Sequence, residues 1–493
     1  MDSFLPVGIG LQAPCKKTAA ASRTGHETRK RVGMDLKRNL TRDYHLPRND
    51  EGTMNHPAAY NRISNGDYNR PGGRGINPLS AEGGLNICLL SYRSNPHCGG
   101  QGVYLKNLSR ALKDRGHRVE VVSGPPDPQL DDDIPLYQLP GLDLYNPADP
   151  FRVPRLKELM DPINLIEWIG VSTMGFPEPY TFGLRAYGFL RSRLQAYDIV
   201  HDNQSLSYGI WAISKRVPTI ATIHHPVTVD RKLAIQSESS PLKKMKQWRW
   251  HSFIGMQKRV SRSLDRIITV SQAARDDICR DFNTVPANFR IVPNGINTDL
   301  FYPIPEIERS KRRLIVTNSA DTPLKGLYFL FQAVAEVAKT RKIDVTVVGS
   351  PKENGTIVKL IQKLGIGDLI DFTGRIDNGE FVRHYARATV AVVPSVYEGF
   401  GLPAGEAMAC AVPVISTTGG ALPEVVGDAG ILVPPADSLA LARAIEQIFD
   451  NPQRARELGL AGYQRVQEQF TWARAAEKTV AAYREVIHDY RRV

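Results

Sequence analysis

Cysteine is scarce in this chain. Five cysteines, at positions 15, 88, 98, 279 and 410, are scattered over 493 residues. None forms a C-x-x-C pair, so neither a disulfide framework nor a zinc site is indicated, and a reducing compartment is the better reading. Long apolar runs are missing too. No stretch reaches the ~18 residues of a spanning helix, which argues against an integral membrane protein. No glycine loop completes G-x-G-x-x-G or G-x-x-x-x-G-K-[ST], so neither a dinucleotide fingerprint nor P-loop chemistry is supported. The one dense acidic run, Asp131-Asp132-Asp133, lies in a proline-rich loop; elsewhere the ordered part has no Asp-x-Asp to hold a divalent metal.

What the chain does have is length and basic charge. Its 42% apolar and 23% charged residues are ordinary for a soluble globular protein, and its length allows two or three domains of ~150 residues. Lys and Arg outnumber Asp and Glu by 63 to 51, a net charge of +12. Half of that excess sits in residues 1–80, with thirteen basic against seven acidic side chains. This segment is rich in Arg, Asn, Gly and Ser and shows no sustained periodicity, so residues 1–84 read as a disordered basic tail. The apolar stretch near Phe4–Leu11 is short and lacks a basic flank, against a signal peptide. A misplaced start, with Met34 or Met54 as the alternative, competes equally with a functional tail. An Arg-rich targeting segment is weaker because of Asp35, Asp43 and Asp50.

Order begins at Leu85. A strand at Leu85–Ser91 is followed by the loop Pro96-His97-Cys98-Gly99-Gly100-Gln101-Gly102, then by Val103, Leu105, Leu108 and Leu112 at helical spacing. Gly116 stops that helix and a second strand starts at Arg118. Further strands fit Asp198–His201, Pro218–His224 and Asp265–Val270. The pattern then restarts: strand Arg313–Asn318, helix Leu327–Lys339, strand Ile343–Val348, then strands at Leu369–Phe372, Val390–Pro394, Val412–Ser416 and Gly430–Val433. A series that begins twice predicts an α/β protein of two doubly wound parallel-sheet domains. The expected division is 85–300, joined by the C-terminal helix 473–493, and 301–472. Ligands of such sheets bind beyond the carboxyl ends of strands, so the loops there carry the candidates.

Gly99-Gly100-Gln101-Gly102 opens a helix and suits close approach of a phosphate, although a ligand-free tight turn explains it equally well. His224-His225 ends a strand with no Cys or carboxylate beside it, which suits a ligand-facing donor better than a metal site. The richest segment is Pro394-Ser395-Val396-Tyr397-Glu398-Gly399-Phe400-Gly401-Leu402-Pro403-Ala404-Gly405-Glu406. Glu398 sits in the loop, Pro403 suits a first helical turn, and Glu406 lies about a turn inside. Two carboxylates near a helix N-terminus suit a polyol with an anionic group between its ends.

These residues carry a resemblance. Residues 85–490 resemble the retaining glycosyltransferases of family 4, which have the GT-B fold of two Rossmann-like domains facing a cleft. The Glu398-x7-Glu406 motif leads into Ala407–Ile415 and Thr418-Gly419-Gly420-Ala421-Leu422-Pro423-Glu424. Val292–Ile296, Lys325-Gly326 and Gly430–Asp437 also match. The resemblance implies a transferase that moves a hexose from a nucleotide-diphosphate sugar to a hydroxyl acceptor with retention, using no cofactor and no metal. It makes 85–300 the acceptor domain and 301–472 the donor domain. His224, Lys325 and Glu398 would serve catalysis, His224 beside the sugar, Lys325 on the diphosphate and Glu398 on sugar hydroxyls. Gly100, Phe400, Gly401 and Leu402 would present backbone to the donor, Arg375 and Ile376 would border the base, and Glu406 would bind the ribose. One departure stands out: the arginine usual five or six residues before the lysine is replaced by Ser319 and Ala320, with Arg375 a substitute cation. The rival readings are a non-catalytic nucleotide-sugar binder and another GT-B enzyme such as an epimerase.

The acceptor is less determined: a glycan, a lipid-linked sugar or a small molecule. Residues 231–262 hold nine Lys/Arg and one acid, Glu238, with Trp248, Trp250, Phe253, Ile254 and Met256 between them. This predicts one amphipathic basic helix over 241–262, suited to an anionic membrane surface, against an ordinary helix with packed aromatics. Nucleic acid is not expected, because no recognition motif accompanies the charge. The expected location is cytoplasmic, at the inner face of the membrane if that helix binds lipid.

Overall fold

In the computed structural model, residues 83–95, 100–145, 149, 152–317, 322–353 and 355–492 are described. The basic tail up to residue 82, the start of the glycine loop, and Ser319 and Ala320 lie outside them. Both sheets belong to one compact unit that includes Gly84–Val493.

The first sheet has seven strands: β1 (Asn86–Ser91), β2 (Arg118–Ser123), β3 (Leu136–Gln138), β4 (Ile199–Asn203), β5 (Thr219–Ile223), β6 (Ile267–Thr269) and β7 (Phe289–Ile291). The second has six: β8 (Arg313–Thr317), β9 (Asp344–Val348), β10 (Ile370–Phe372), β11 (Val390–Val393), β12 (Val414–Thr417) and β13 (Gly430–Val433). Their orders are β3-β2-β1-β4-β5-β6-β7 and β10-β9-β8-β11-β12-β13, with every recorded pairing parallel. Apolar residues on both faces of β1, β5 and β11 explain the parallel arrangement, since helices cover both sides. Each sheet reverses direction once, between β1 and β4 and between β8 and β11. Those two switch points are where open α/β sheets bind ligands.

The short strands β3 and β7 are not among those the sequence pattern suggested; each is three residues long with a polar member, Gln138 and Arg290. The terminal helix, Trp472–Arg492, leaves the second half and packs on the first. Trp472, Ala476, Tyr483 and Ile487 share a core with Leu85, Leu108 and Ile199. Arg266 pairs with Asp489 at 2.9 Å, and Arg290 with Glu485 at 2.5 Å. The crossing is fixed where the Ile296 N–H donates to the Phe470 carbonyl at 2.7 Å.

The single helix expected over 241–262 is two helices, Pro241–Trp250 and Ile254–Ser261, separated by a 3-10 turn at His251–Phe253. Phe253, Ile254 and Met256 are buried in the core, and Trp250 stacks on Phe176 at 5.1 Å. The second half is therefore packed structure, and only the first keeps an exposed apolar and basic face. The Asp131–Asp133 run is likewise structural: Asp131 takes both bonds of a bidentate pair from Arg110, at 2.6 and 2.7 Å, and Asp133 pairs with Lys113.

Candidate active site

The second sheet brings its candidates to its switch point. Lys325 ends a 3-10 turn, Pro323–Lys325, after β8. The Val396 N–H donates to the Leu324 carbonyl at 2.8 Å, which ties this turn to the loop after β11. Gly326 follows at φ 68°, and a Cβ there would lie 1.9 Å from the Pro394 carbonyl oxygen. Only glycine fits, so the Lys-Gly pair is a steric requirement as well as a chemical one. Lys325 Nζ then donates to Glu398 Oε1 at 2.7 Å, and Ser395 Oγ donates to the same oxygen at 2.7 Å. Thr317, Lys325, Ser395, Glu398 and Pro403 line a small pocket. Arg312 and Arg313 lie at the opposite, amino end of β8 and do not reach it.

The helix Leu402–Ala409 begins beside this pocket. Gly401, at φ 103°, is its N-cap; no side chain caps it, and its first turn carries no acid. Such a terminus favours an anion. Phe400 is a core residue, edge-on to Phe470 at 5.7 Å, so only its backbone is placed to meet a ligand. Leu402 is half-buried. Glu406, one turn inside, is half-buried with no hydrogen-bond or ion-pair partner among the described residues. Burial pushes its carboxyl up to about 7. A partnerless acid in that position is suited to receive hydroxyl donors. Arg375 and Ile376 follow Gly374 at the end of β10, Arg375 exposed and Ile376 half-buried.

The first sheet supplies His224 and His225 just beyond β5. Asn203, at the end of β4, donates from Nδ2 to Ser91 Oγ at 3.2 Å and to the Gln101 carbonyl at 3.3 Å. Its Oδ1 therefore faces His224 Nε2, 2.8 Å away. Burial drives His224 down to about 3, with His225 and His201 adding to the effect. His224 is thus a neutral imidazole with its proton on Nε2 and its lone pair on Nδ1, able to accept from a hydroxyl and unable to act as a cation. For His225, burial works against the charged form, but Asp230, 2.9 Å from Nε2, outweighs it and holds the pKa above the ordinary value. Glu398 and Lys325 also act on His225 electrostatically, so the two sheets face one another here.

Gln204 clamps this pair. Its Oε1 accepts from the His224 N–H at 2.8 Å, and its Nε2 donates to the His225 carbonyl at 3.1 Å. Gln204 and Leu206 sit at φ 59° and 46°, costly for residues with side chains and typical of a loop held in place for function. Gly399 completes the approach: a Cβ there would lie 2.8 Å from the His224 carbonyl oxygen. Ser271 Oγ donates to the Gly399 carbonyl at 2.8 Å, and Tyr397 OH donates to Asp277 at 2.7 Å. Glu424 accepts from the Gln272 and Ala273 N–H groups at 2.7 and 2.8 Å, capping the helix Gln272–Phe282 from the other half.

Gly100 is the exposed first residue of the helix Gly100–Asp114, with open space where a Cβ would go. The tight fit belongs to Gly102, whose Cβ would lie 2.5 Å from the Ser94 carbonyl oxygen. Asn203 and Gln204 were not singled out from the sequence; Ser395 and Glu424 stood only inside longer motifs, and His225 only beside His224, without a role of their own. One signal was legible: His201-Asp202-Asn203-Gln204-Ser205 is a polar run ending an apolar strand, and it is buried throughout.

The family model for glycosyltransferase family 4 matches residues 98–300, and that for glycosyl transferases group 1 matches residues 303–465. The MMP alpha-(1->4)-mannosyltransferase of Mycolicibacterium hassiacum is 44% identical over 408 residues, 82% of this chain and 98% of the relative. The chain belongs to glycosyltransferase family 4. This glycosyltransferase is also 27% identical to a D-inositol 3-phosphate glycosyltransferase of Kineococcus radiotolerans, over 82% of this chain and 96% of the relative. Among solved structures, sucrose-phosphate synthase from Thermosynechococcus elongatus aligns at TM-score 0.63 and 25% identity, covering 82% of this chain and all of that one. Anabaena Alr3699/HepE in complex with UDP and glucose aligns at TM-score 0.59 and 16% identity, over 80% and 98% of the two chains, which shows the shared GT-B fold. The two model matches meet in the segment between β7 and β8, so the sequence family and the two sheets divide the molecule alike.

Proposed function

We propose that this glycosyltransferase moves a mannosyl residue from a nucleotide-diphosphate mannose to a hydroxyl of a glycan acceptor, with retention and without a metal. The observation that carries the reading is the 44% identity to a mannosyltransferase over nearly its whole length, together with a Lys325–Glu398 pair at the sheet's switch point. That the relatives described above are named as glycosyltransferases sets the non-catalytic and epimerase readings aside. The relative's name specifies an α-linked product, and an α-linked product from an α-configured nucleotide-mannose is net retention.

In this reading the diphosphate lies against the uncapped terminus of Leu402–Ala409, and Lys325 turns from Glu398 toward it. Glu398 is then left to accept from sugar hydroxyls, Glu406 takes the ribose hydroxyls, and His224 Nδ1 accepts a hydroxyl of the sugar. The C1–oxygen bond to the diphosphate breaks while the acceptor oxygen bonds C1 on the same face. The acceptor proton passes to the departing phosphate oxygen, so no protein nucleophile is consumed. Lys325 and the helix terminus carry the charge work that a metal performs elsewhere. Where the usual arginine is replaced by Ser319 and Ala320, Arg375 is the proposed substitute. Three free cysteines among the described residues support work in the reducing cytoplasm.

The test is mass spectrometry of products from UDP-, GDP- and ADP-linked mannose and glucose with glycan acceptors, with and without a chelator. The reading expects one nucleotide-mannose to yield a mannosylated product at the same rate in chelator. Transfer of glucose alone, or activity abolished by chelator and restored by a divalent metal, contradicts it.

A further inference from the structure

The helix Pro241–Trp250 turns an apolar stripe outward. Leu242, Met245 and Trp248, three residues apart, are 73%, 56% and 64% exposed. At ~100° per residue they share one arc, flanked by Lys244 and Lys246, while Gln247 on the opposite side is buried. The helix carries no acid. Its carboxyl end meets a second apolar face. Arg249 Nη2 donates to Thr173 Oγ1 at 2.9 Å, and Thr173 closes the helix Pro162–Ser172, on which Leu165, Ile166 and Ile169 are exposed. Just before it, Leu156 and Met160 are 85% and 82% exposed. The acids here are already engaged: Glu158 with Arg152, and Asp161 as the cap on the Ile163 N–H. Single exposed apolar residues are ordinary, but eight on adjoining segments mark an interaction surface.

We propose that this face docks on an anionic lipid bilayer, with Leu242, Met245 and Trp248 entering the headgroup region and Lys244, exposed at the edge of their arc, meeting acidic headgroups. The charge selects this occupant. A two-fold contact with a second copy would set like-charged lysines against each other, with no acid on the helix to offset them. Apolar side chains projecting between lysines match the layered chemistry of a membrane interface. The helix Thr228–Gln236, whose Asp230 holds His225, directly precedes the docking helix, so a docked chain would carry its cleft close to the bilayer. The docking follows from surface chemistry alone and does not depend on which sugar is transferred.

The experiment is co-sedimentation of the full chain with phosphatidylcholine vesicles, with and without phosphatidylglycerol, at low and high salt. Binding is expected only with phosphatidylglycerol and is expected to be lost at high salt. It should fall roughly tenfold or more in a Lys244→Glu variant. It should also fall in Leu242→Ser/Trp248→Ser, with the melting temperature of both variants unchanged. No sedimentation with anionic vesicles at low salt overturns the proposal, as does binding that neither variant weakens. A wild-type dimer by light scattering that Leu242→Ser/Trp248→Ser converts to monomer would also overturn it, assigning the face to self-association.

Discussion

The two sheets contribute to the cleft in different ways. The second gathers its candidates from two short pieces of chain, residues 322–326 and 394–406, which meet because β8 and β11 are neighbours. The first builds its wall from single residues drawn from the ends of β1, β4 and β5, with Ser91, Asn203, Gln204, His224 and His225 joined by hydrogen bonds across the sheet. The compact motif places charge: a lysine, two carboxylates and a helix terminus. The dispersed wall places polar groups and keeps His224 neutral. Substitutions in the first should therefore act on turnover and donor binding, and those in the second on geometry.

The largest effect expected is from Lys325→Ala. Loss of the cation aimed at the leaving diphosphate should lower kcat by ~10²–10³. Acceptor KM should move little, and steady-state kinetics with both substrates check the split. A fall confined to acceptor KM would break the distinction between the two walls.

Glu406→Gln should act in two directions. The free protein holds this carboxyl's proton up to about 7, whereas the unfolded chain releases it near 4.5. The contribution of this group to the stability of the donor-free protein is therefore fully present below the unfolded value and is lost as pH rises from about 4.5 through about 7. The glutamine variant should melt higher than the wild type at alkaline pH, and the difference should vanish toward the acid end. Donor affinity should fall by roughly tenfold to a hundredfold, because a charge-assisted bond is worth ~1.5–3 kcal/mol. Thermal melts across pH and donor titration by calorimetry read the two effects separately.

The smallest effect is expected on the dispersed wall. Gln204→Ala removes two neutral hydrogen bonds that hold His224 and His225, worth ~1 kcal/mol each. Unfolding in denaturant should show a loss of that order, and kcat should fall several-fold with donor affinity nearly kept. A collapse of activity as deep as that of Lys325→Ala would mean that Gln204 or its histidines touch the reacting atoms.

The same contrast explains what the sequence made legible. The doubled βα pattern was readable because each long strand is an apolar run bounded by turn residues, and Glu398, Glu406 and Lys325 lie in contiguous signatures. Where each of them sits followed from the switch-point rule. The ion pair that joins Lys325 to Glu398 did not, because it depends on the turn at Gly326 meeting Pro394 across two strands. Asn203 and Gln204 were hidden for a similar reason: their importance lies in a partner twenty residues away that only strand order makes adjacent. The basic segment 241–262 misled because its helical period runs through a 3-10 turn, and its aromatics divide between core and solvent.

The most direct test follows the first turnovers by proton NMR, with an α-configured nucleotide-mannose, a glycan acceptor, and wild-type or Lys325→Ala protein at equal folded concentration. The account predicts that an α-mannoside is the first product of the wild type and that its rate falls by ~10²–10³ in the variant. A β-mannoside formed first, or an α-mannoside formed equally fast without Lys325, would contradict it.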